Sequence, residues 1–128
     1  VFLRIRPLSR SEQSEPDRFQ RSYKLDGNII AIPGSKYGEV NFKFTRIFAE
    51  NATQQVVFNE AKDLVAAAVN GYNSTIFAYG QTGSGKTYTL QGDEYVKGIA
   101  QLSFEYLFEL VKQQHATLTV RTGTMHMR

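Results

Sequence analysis

The sequence predicts an α/β domain in which a glycine-rich loop joins a buried strand to a helix, and three observations lead there. Gly80-Gln81-Thr82-Gly83-Ser84-Gly85-Lys86-Thr87 has the spacing Gly-x-x-x-x-Gly-Lys-Thr. The residues before it, Thr75-Ile76-Phe77-Ala78-Tyr79, are mostly apolar without strict alternation, the pattern of a strand covered on both faces of a parallel sheet. Two segments carry apolar residues at helical spacing: Val57, Ala61, Leu64, Val65 and Ala68, then Ile99, Leu102, Tyr106, Leu107, Leu110 and Val111.

Taken from the start, residues 1–6 are β-branched and aromatic, carry two Arg and stop at Pro7. They read as a strand with Leu3 and Ile5 on one face and Arg4 and Arg6 on the other. Residues 9–17 are polar and include Pro16, so they read as a loop. Residues 19–25 and 29–32 flank Asp26-Gly27-Asn28 as a hairpin, because Asp-Gly tolerates the positive φ of a tight turn. Pro33-Gly34-Ser35 reads as a chain break. Residues 40–44 alternate apolar and polar, which predicts a half-buried strand. The first helix is capped at Asn51 or Thr53, gains propensity from Ala66-Ala67-Ala68 and stops at Gly71. A second helix starts inside the glycine loop, is interrupted near Gly92 and resumes around Ile99. Residues 117–121 read as one more strand.

The bulk numbers suit a single globular domain. The 128 residues are 41% apolar and 21% charged, and nine Phe and seven Tyr supply large side chains for a core. The absence of Cys excludes a disulfide framework and a thiolate metal site, and fits a reducing compartment. His115 and His126 have no zinc-ligand spacing around them. The net charge of +3 is mild and comes without a run of like charges, so no partner is drawn from it; no nucleic-acid partner is expected. No apolar run reaches the length of about eighteen that spans a bilayer, so no membrane insertion is expected. The first residues do not read as a signal peptide, and the chain does not begin with Met, which suggests a fragment or a processed chain.

The glycine-rich octapeptide carries the chemistry. Glycines let successive backbone N–H groups turn inward and cradle oxygen atoms. A helix that begins there points its positive end at the same place. Lys86 supplies a full charge for the outer phosphates of a nucleoside triphosphate, and the Thr87 hydroxyl is a hard-oxygen ligand for Mg2+. The confirming context is a strand leading into the loop and a helix leading out. No catalytic residue is assigned.

The surroundings of the loop narrow the reading. Asn70-Gly71-Tyr72-Asn73-Ser74-Thr75-Ile76-Phe77-Ala78-Tyr79-Gly80-Gln81-Thr82, continued through Lys86-Thr87-Tyr88-Thr89-Leu90, resembles the signature of the kinesin motor domain. Ser74 departs from the usual Gly. Arg4-Ile5-Arg6-Pro7-Leu8 resembles the end of that family's first strand. Residues 42–48 resemble its Phe-x-Phe-Asp-Arg-Val-Phe, with Thr45 in place of Asp, and residues 52–58 resemble the start of its first long helix. Gly98-Ile99 and Leu107-Phe108-Glu109 fit the segment after the loop.

The resemblance covers about residues 1–115, while 116–128 diverge from the family pattern. It implies a three-layer P-loop NTPase sandwich, present as its N-terminal portion. It implies binding of ATP with Mg2+ by residues 80–87. Arg4 and Pro7 would line the adenine on one side and Tyr88 on the other, with Arg6 in the same cofactor-binding set. It implies an ATPase motor in the intact protein, microtubules as partner through regions mostly elsewhere, dimerisation through a stalk, and a cytoplasmic, cytoskeletal location. Two further family stretches, Ser-Ser-Arg-Ser-His and Asp-Leu-Ala-Gly-Ser-Glu, do not occur in the sequence, so these residues alone are expected to be catalytically inactive and poorly folded. The alternatives are a truncated, inactive remnant or a different P-loop NTPase. The Asn-Lys-x-Asp motif of small GTPases is absent.

Overall fold

The computed structural model describes residues 1–15, 22–34 and 38–114, and the chain divides into two units. One comprises Val1–Thr53 with Thr82–Gly85, the other Gln54–Gln81 with Lys86–Arg128. In chain order the elements are β1 (Phe2–Arg4), α1 (Arg10–Gln13), β2 (Lys24–Asp26), β3 (Ile29–Gly34), β4 (Gly38–Lys43), β5 (Arg46–Phe48), α2 (Gln54–Val69), α3 (Lys86–Gln91) and α4 (Ile99–Gln114). The strand expected at 117–121, both histidines, Pro16, Phe19 and Ser35 lie outside the described residues.

In the first unit, β1 forms as expected and pairs in parallel with β5, with Leu3 opposite Ile47 and Arg4 opposite Phe48. The ladder is extended by the Ile5 N–H, which donates to the Phe48 carbonyl oxygen at 2.9 Å. Three residues are too few to show alternation, which is why β5 is not legible in the sequence. Phe48 is buried, and the Phe2 ring meets it edge-on at 5.9 Å between centroids.

The hairpin forms with Asp26 opposite Ile29, which leaves Gly27-Asn28 as a two-residue turn with Gly27 at φ 56°. The break expected at Pro33-Gly34 does not occur. β3 continues through both residues, placing Pro33 opposite Glu39 and Gly34 opposite Gly38 of β4. β2 ends beside Ala31, so the ladder at Pro33 is one-sided, and a proline is tolerated there. Alternation was read correctly in β4 but its half-burial was not. Val40 and Phe42 share a face with Leu25, Ile30 and Ile32, yet Val40 remains 41% and Phe42 47% exposed.

Residues 9–15 are not the plain loop that their polarity suggests. Ser9 caps α1 through a capping box: its Oγ accepts from the Glu12 N–H at 3.3 Å, and Glu12 Oε2 accepts from the Ser9 N–H at 2.8 Å.

In the second unit, α2 starts directly after Thr53 and buries Val57, Phe58, Ala61 and Val65, as its periodicity requires. Leu64, expected on the same face, is 43% exposed, and Phe58 takes its place in the core. The helix ends in a Schellman pattern, with Gly71 N–H donating to Ala68 O and Tyr72 N–H to Ala67 O, both at 3.1 Å. α4 packs on α2 along its expected stripe, where Tyr106 meets Phe58 edge-on at 6.1 Å and the Lys62 ammonium sits 4.7 Å from the Tyr106 centroid.

The helix after the glycine loop is interrupted where expected. Gly92 and Lys97 form an isolated antiparallel bridge, and Asp93 Oδ1 accepts from the N–H groups of Tyr95 and Val96 at 2.9 and 2.8 Å. The neck of this excursion is backbone against backbone. A Cβ on Gly98 would collide with Gln91, Gly92 and Leu90 main-chain atoms.

The main correction concerns residues 75–79. They form no strand, and Phe77 and Tyr79 are 79% and 96% exposed. A strand exists only through hydrogen bonds to a neighbour, and none of the described residues pairs with this run. Its apolar composition is therefore present without the burial it was read to signify.

Candidate phosphate-binding loop and its supports

Helix α3 begins at Lys86, so the strong half of the expected loop context is the exit helix rather than the entering strand. Gly83 and Gly85 have φ of 79° and 94°, left-handed values that glycine adopts without strain. The Lys86 ammonium donates to the carbonyl oxygens of Gly80 at 2.7 Å and Gln81 at 2.9 Å. Both acceptors are neutral, so the positive charge is held in the loop without being cancelled. Thr87 and Tyr88 follow in α3 with exposed side chains. Thr82 is exposed and Ser84 half-buried.

The lysine's unit also contains a polar anchor that no motif in the sequence marks. Gln54, the first residue of α2, is 3% exposed, and its Nε2 donates to the Tyr88 carbonyl oxygen at 2.5 Å. This ties the start of α2 to the backbone of α3.

Arg4, Arg6 and Pro7 lie in the first unit. Arg4 Nη2 donates to the Ala52 carbonyl oxygen at 3.2 Å. Arg6 forms a two-pronged pair with Glu12, at 2.7 Å from Nη1 to Oε2 and 2.6 Å from Nη2 to Oε1, and Nη1 also donates to Pro7 O at 3.0 Å. The Arg6 hydrogen bonds, then the Ser9 N–H, hold the Glu12 carboxyl down at about 2 instead of 4.5. The same pairing raises the Arg6 pKa. The Arg6 stem lies near the loop with room between them: a Cβ on Gly85, which glycine lacks, would stand 3.7 Å from Arg6 Cδ. Arg6 and Gly85 are thus near one another within one unit. Glu12 was missed, although Ser9-x-x-Glu12 carries the capping-box spacing, because no apolar run follows it.

A glycine loop with left-handed turns, a lysine ammonium at its end and a helix leading out is the arrangement of an α/β protein of the phosphate-loop class. The comparisons identify the family independently of the missing strand. The chain belongs to the kinesin motor domain family, whose model matches residues 4–127, and it has that fold. It is 41% identical over 115 residues to human centromere-associated protein E, covering 88% of this chain and 4% of that protein. It is 37% identical over 121 residues to the kinesin-like protein KIN-14E of Oryza sativa subsp. japonica, covering 93% of this chain and 11% of that one. Among solved structures it resembles KIF14 residues 391–755, the ADP form in complex with a microtubule, with a TM-score of 0.79 at 30% identity. That match covers 91% of this chain and 34% of the KIF14 chain. The chain therefore spans a minor part of the relatives it matches.

Proposed function

We propose that the chain supplies the nucleotide-binding part of a motor that couples ATP hydrolysis to movement along microtubules. The observation that carries this reading is the Lys86 ammonium, held by two loop carbonyls at the start of α3 in a chain of the kinesin motor-domain family. Bound ATP supplies a high-energy phosphoanhydride whose cleavage drives the motor. On this reading Lys86 exchanges its carbonyl acceptors for phosphate oxygens, and loop N–H groups at 80–87 complete the cradle. Thr87 offers one hydroxyl oxygen to Mg2+. This suits a cation that takes most of its ligands from phosphate and water, and the described residues hold no cluster of three or more acidic or histidine ligands. Arg4, Pro7 and Tyr88 serve the base, since a guanidinium plane and an aromatic ring both stack on a purine.

The partner on this reading is the microtubule and the location is the cytoplasmic cytoskeleton, with dimerisation through a stalk. The human relative's centromere association and the KIF14–microtubule complex support the cytoskeletal assignment. Turnover is not proposed for these residues alone, because sequences resembling the family's two γ-phosphate-sensing stretches are absent from them. The test is Mg-ATP binding and microtubule-stimulated ATP turnover by the full-length protein. Absence of both in well-folded protein would overturn the reading.

A further inference from the structure

We propose that Gln54 is a positioning residue for the phosphate loop: its buried amide grips the Tyr88 carbonyl and so holds helix α3, whose first two residues are Lys86 and Thr87, in one orientation. The proposal rests on the nucleotide reading above and assigns a role to a residue outside the loop. It begins from the length and the ends of α3. The helix runs from Lys86 to Gln91, six residues, too few to be stable on their own. Gly85 precedes it at φ 94° and Gly92 follows it at φ 79°. Both are left-handed values at the residue type with the softest backbone. A short helix between two such residues is not aimed by its covalent connections. Its aim is set by what it touches.

Helix α3 packs on α4, and Gln54 adds a directional contact within the same unit. The Tyr88 carbonyl oxygen accepts two donors. One is the Gly92 N–H at 2.9 Å, which closes the last turn of the helix. The other is Gln54 Nε2 at 2.5 Å. A carbonyl oxygen has two lone pairs, so the amide occupies the one that helical bonding leaves open. Gln54 is 3% exposed, and a buried amide deprived of its partner carries a desolvation cost, which makes the contact costly to break. The far end of the tie is firm, because Gln54 opens the sixteen-residue α2, which buries Val57, Phe58, Ala61 and Val65. Tyr88 follows Lys86 by less than one helical turn, so a shift of its carbonyl moves Lys86 and Thr87 with it. Hydrogen bonds weaken steeply as their angles close, so a tilted α3 would meet phosphate oxygens poorly. An apolar side chain of the same length would fill the space without fixing the direction.

The experiment uses the full-length protein with two probes, Mg-ATP and inorganic tripolyphosphate with Mg2+, at a temperature where every variant is folded. Melting temperatures are measured without either probe. Gln54→Met keeps the length of the side chain and loses the donor. It is expected to weaken both probes by a similar factor, roughly five- to tenfold for a coupled contact. Gln54→Asn, which keeps the amide one methylene short, should weaken both by less, and serves if Gln54→Met does not fold. Val65→Ala, a cavity in the core of the same helix, lowers the melting temperature and should leave both affinities unchanged. The proposal is overturned if only Mg-ATP weakens, which would confine the effect to the Tyr88 ring and the base. It is overturned equally if neither probe weakens. It also fails if Val65→Ala weakens both probes as much for an equal loss of melting temperature, which would leave Gln54 a contributor to stability alone. If the wild-type protein binds neither probe, the nucleotide reading falls and takes this proposal with it.

Discussion

Gln54 and Tyr88 are joined by a 2.5 Å hydrogen bond from a buried side-chain amide to a main-chain carbonyl, across thirty-four positions of sequence. It connects the first turn of the long helix α2 to the short helix that carries Lys86 and Thr87. Helix α3 has only six residues, too few to be stable on its own, so its position depends on such ties. Replacing Gln54 with Leu leaves the Tyr88 carbonyl without that donor. The expected cost is about 1–3 kcal/mol, read from denaturant unfolding of the full motor, together with weaker Mg-ATP binding. Unchanged stability would show that water replaces the amide.

On the proposed reading, Lys86 and Thr87 make two separable contributions to nucleotide binding. Lys86→Ala removes the only charge on the loop and should lower ATP affinity by at least about tenfold with or without Mg2+, given about 1.5–3 kcal/mol for a charge-assisted hydrogen bond. Thr87→Ala should leave metal-free ATP binding unchanged while lowering the gain that Mg2+ provides. A fluorescent ATP analogue titrated in Mg2+ and in chelator reads both effects. Equal affinities for the wild type and both variants would remove these residues from the site.

The Glu12 carboxyl gives a pH signature. Its pKa in the folded chain is about 2 against an ordinary 4.5, principally because of the Arg6 hydrogen bonds. The unfolded chain therefore takes up this proton first as pH falls. The pair's contribution is complete above about 4.5, declines below that value, and is gone once pH has passed through about 2. A carboxyl-carbon NMR titration should place the Glu12 midpoint in this low range. Arg6→Met should return the midpoint toward its ordinary value.

Gly98 tolerates no side chain. Its Cβ position is occupied by main-chain atoms of Leu90, Gln91 and Gly92, which cannot move as a flexible side chain would. Gly98→Ala should destabilise the fold by about 1–3 kcal/mol through overpacking at the α3–α4 junction, seen as a lower melting temperature. The exposed Gly27 of the hairpin, where nothing lies within 4 Å, is the matched control for space, although its φ of +56° still strains an alanine.

The isolated 128-residue polypeptide is expected to melt without a sharp cooperative transition and to bind hydrophobic dyes. Tyr72, Phe77 and Tyr79 are 71%, 79% and 96% exposed in consecutive parts of one run, an apolar surface of the kind that promotes association. Near-ultraviolet circular dichroism during heating checks this, and a single steep transition would contradict it.

Local chemistry was the part legible in sequence. The Asp26-Gly27-Asn28 turn, the stop at Gly71, the interruption at Gly92 and the resumption at Ile99 each depend on residues within a few positions, and each is in place. What failed depends on remote partners. Residues 75–79 have a strand's composition without a hydrogen-bonded neighbour, and Val40 and Phe42 have the right alternation without a cover. At the site, the glycine-lysine motif is readable because its spacing is the chemistry. Its polar support is not: Gln54 acts through Tyr88, a contact that sequence distance conceals.

The excursion between α3 and α4 is secured at its neck and presented at its tip. Gly92 and Gly98 close the base, Asp93 Oδ1 gathers the two amides that follow, and Tyr95 stands 86% exposed beyond them. Length added beside Tyr95 would therefore project outward while the junction below keeps its geometry. The excursion is a modular socket, a place where new sequence can be grafted without redrawing α3 and α4.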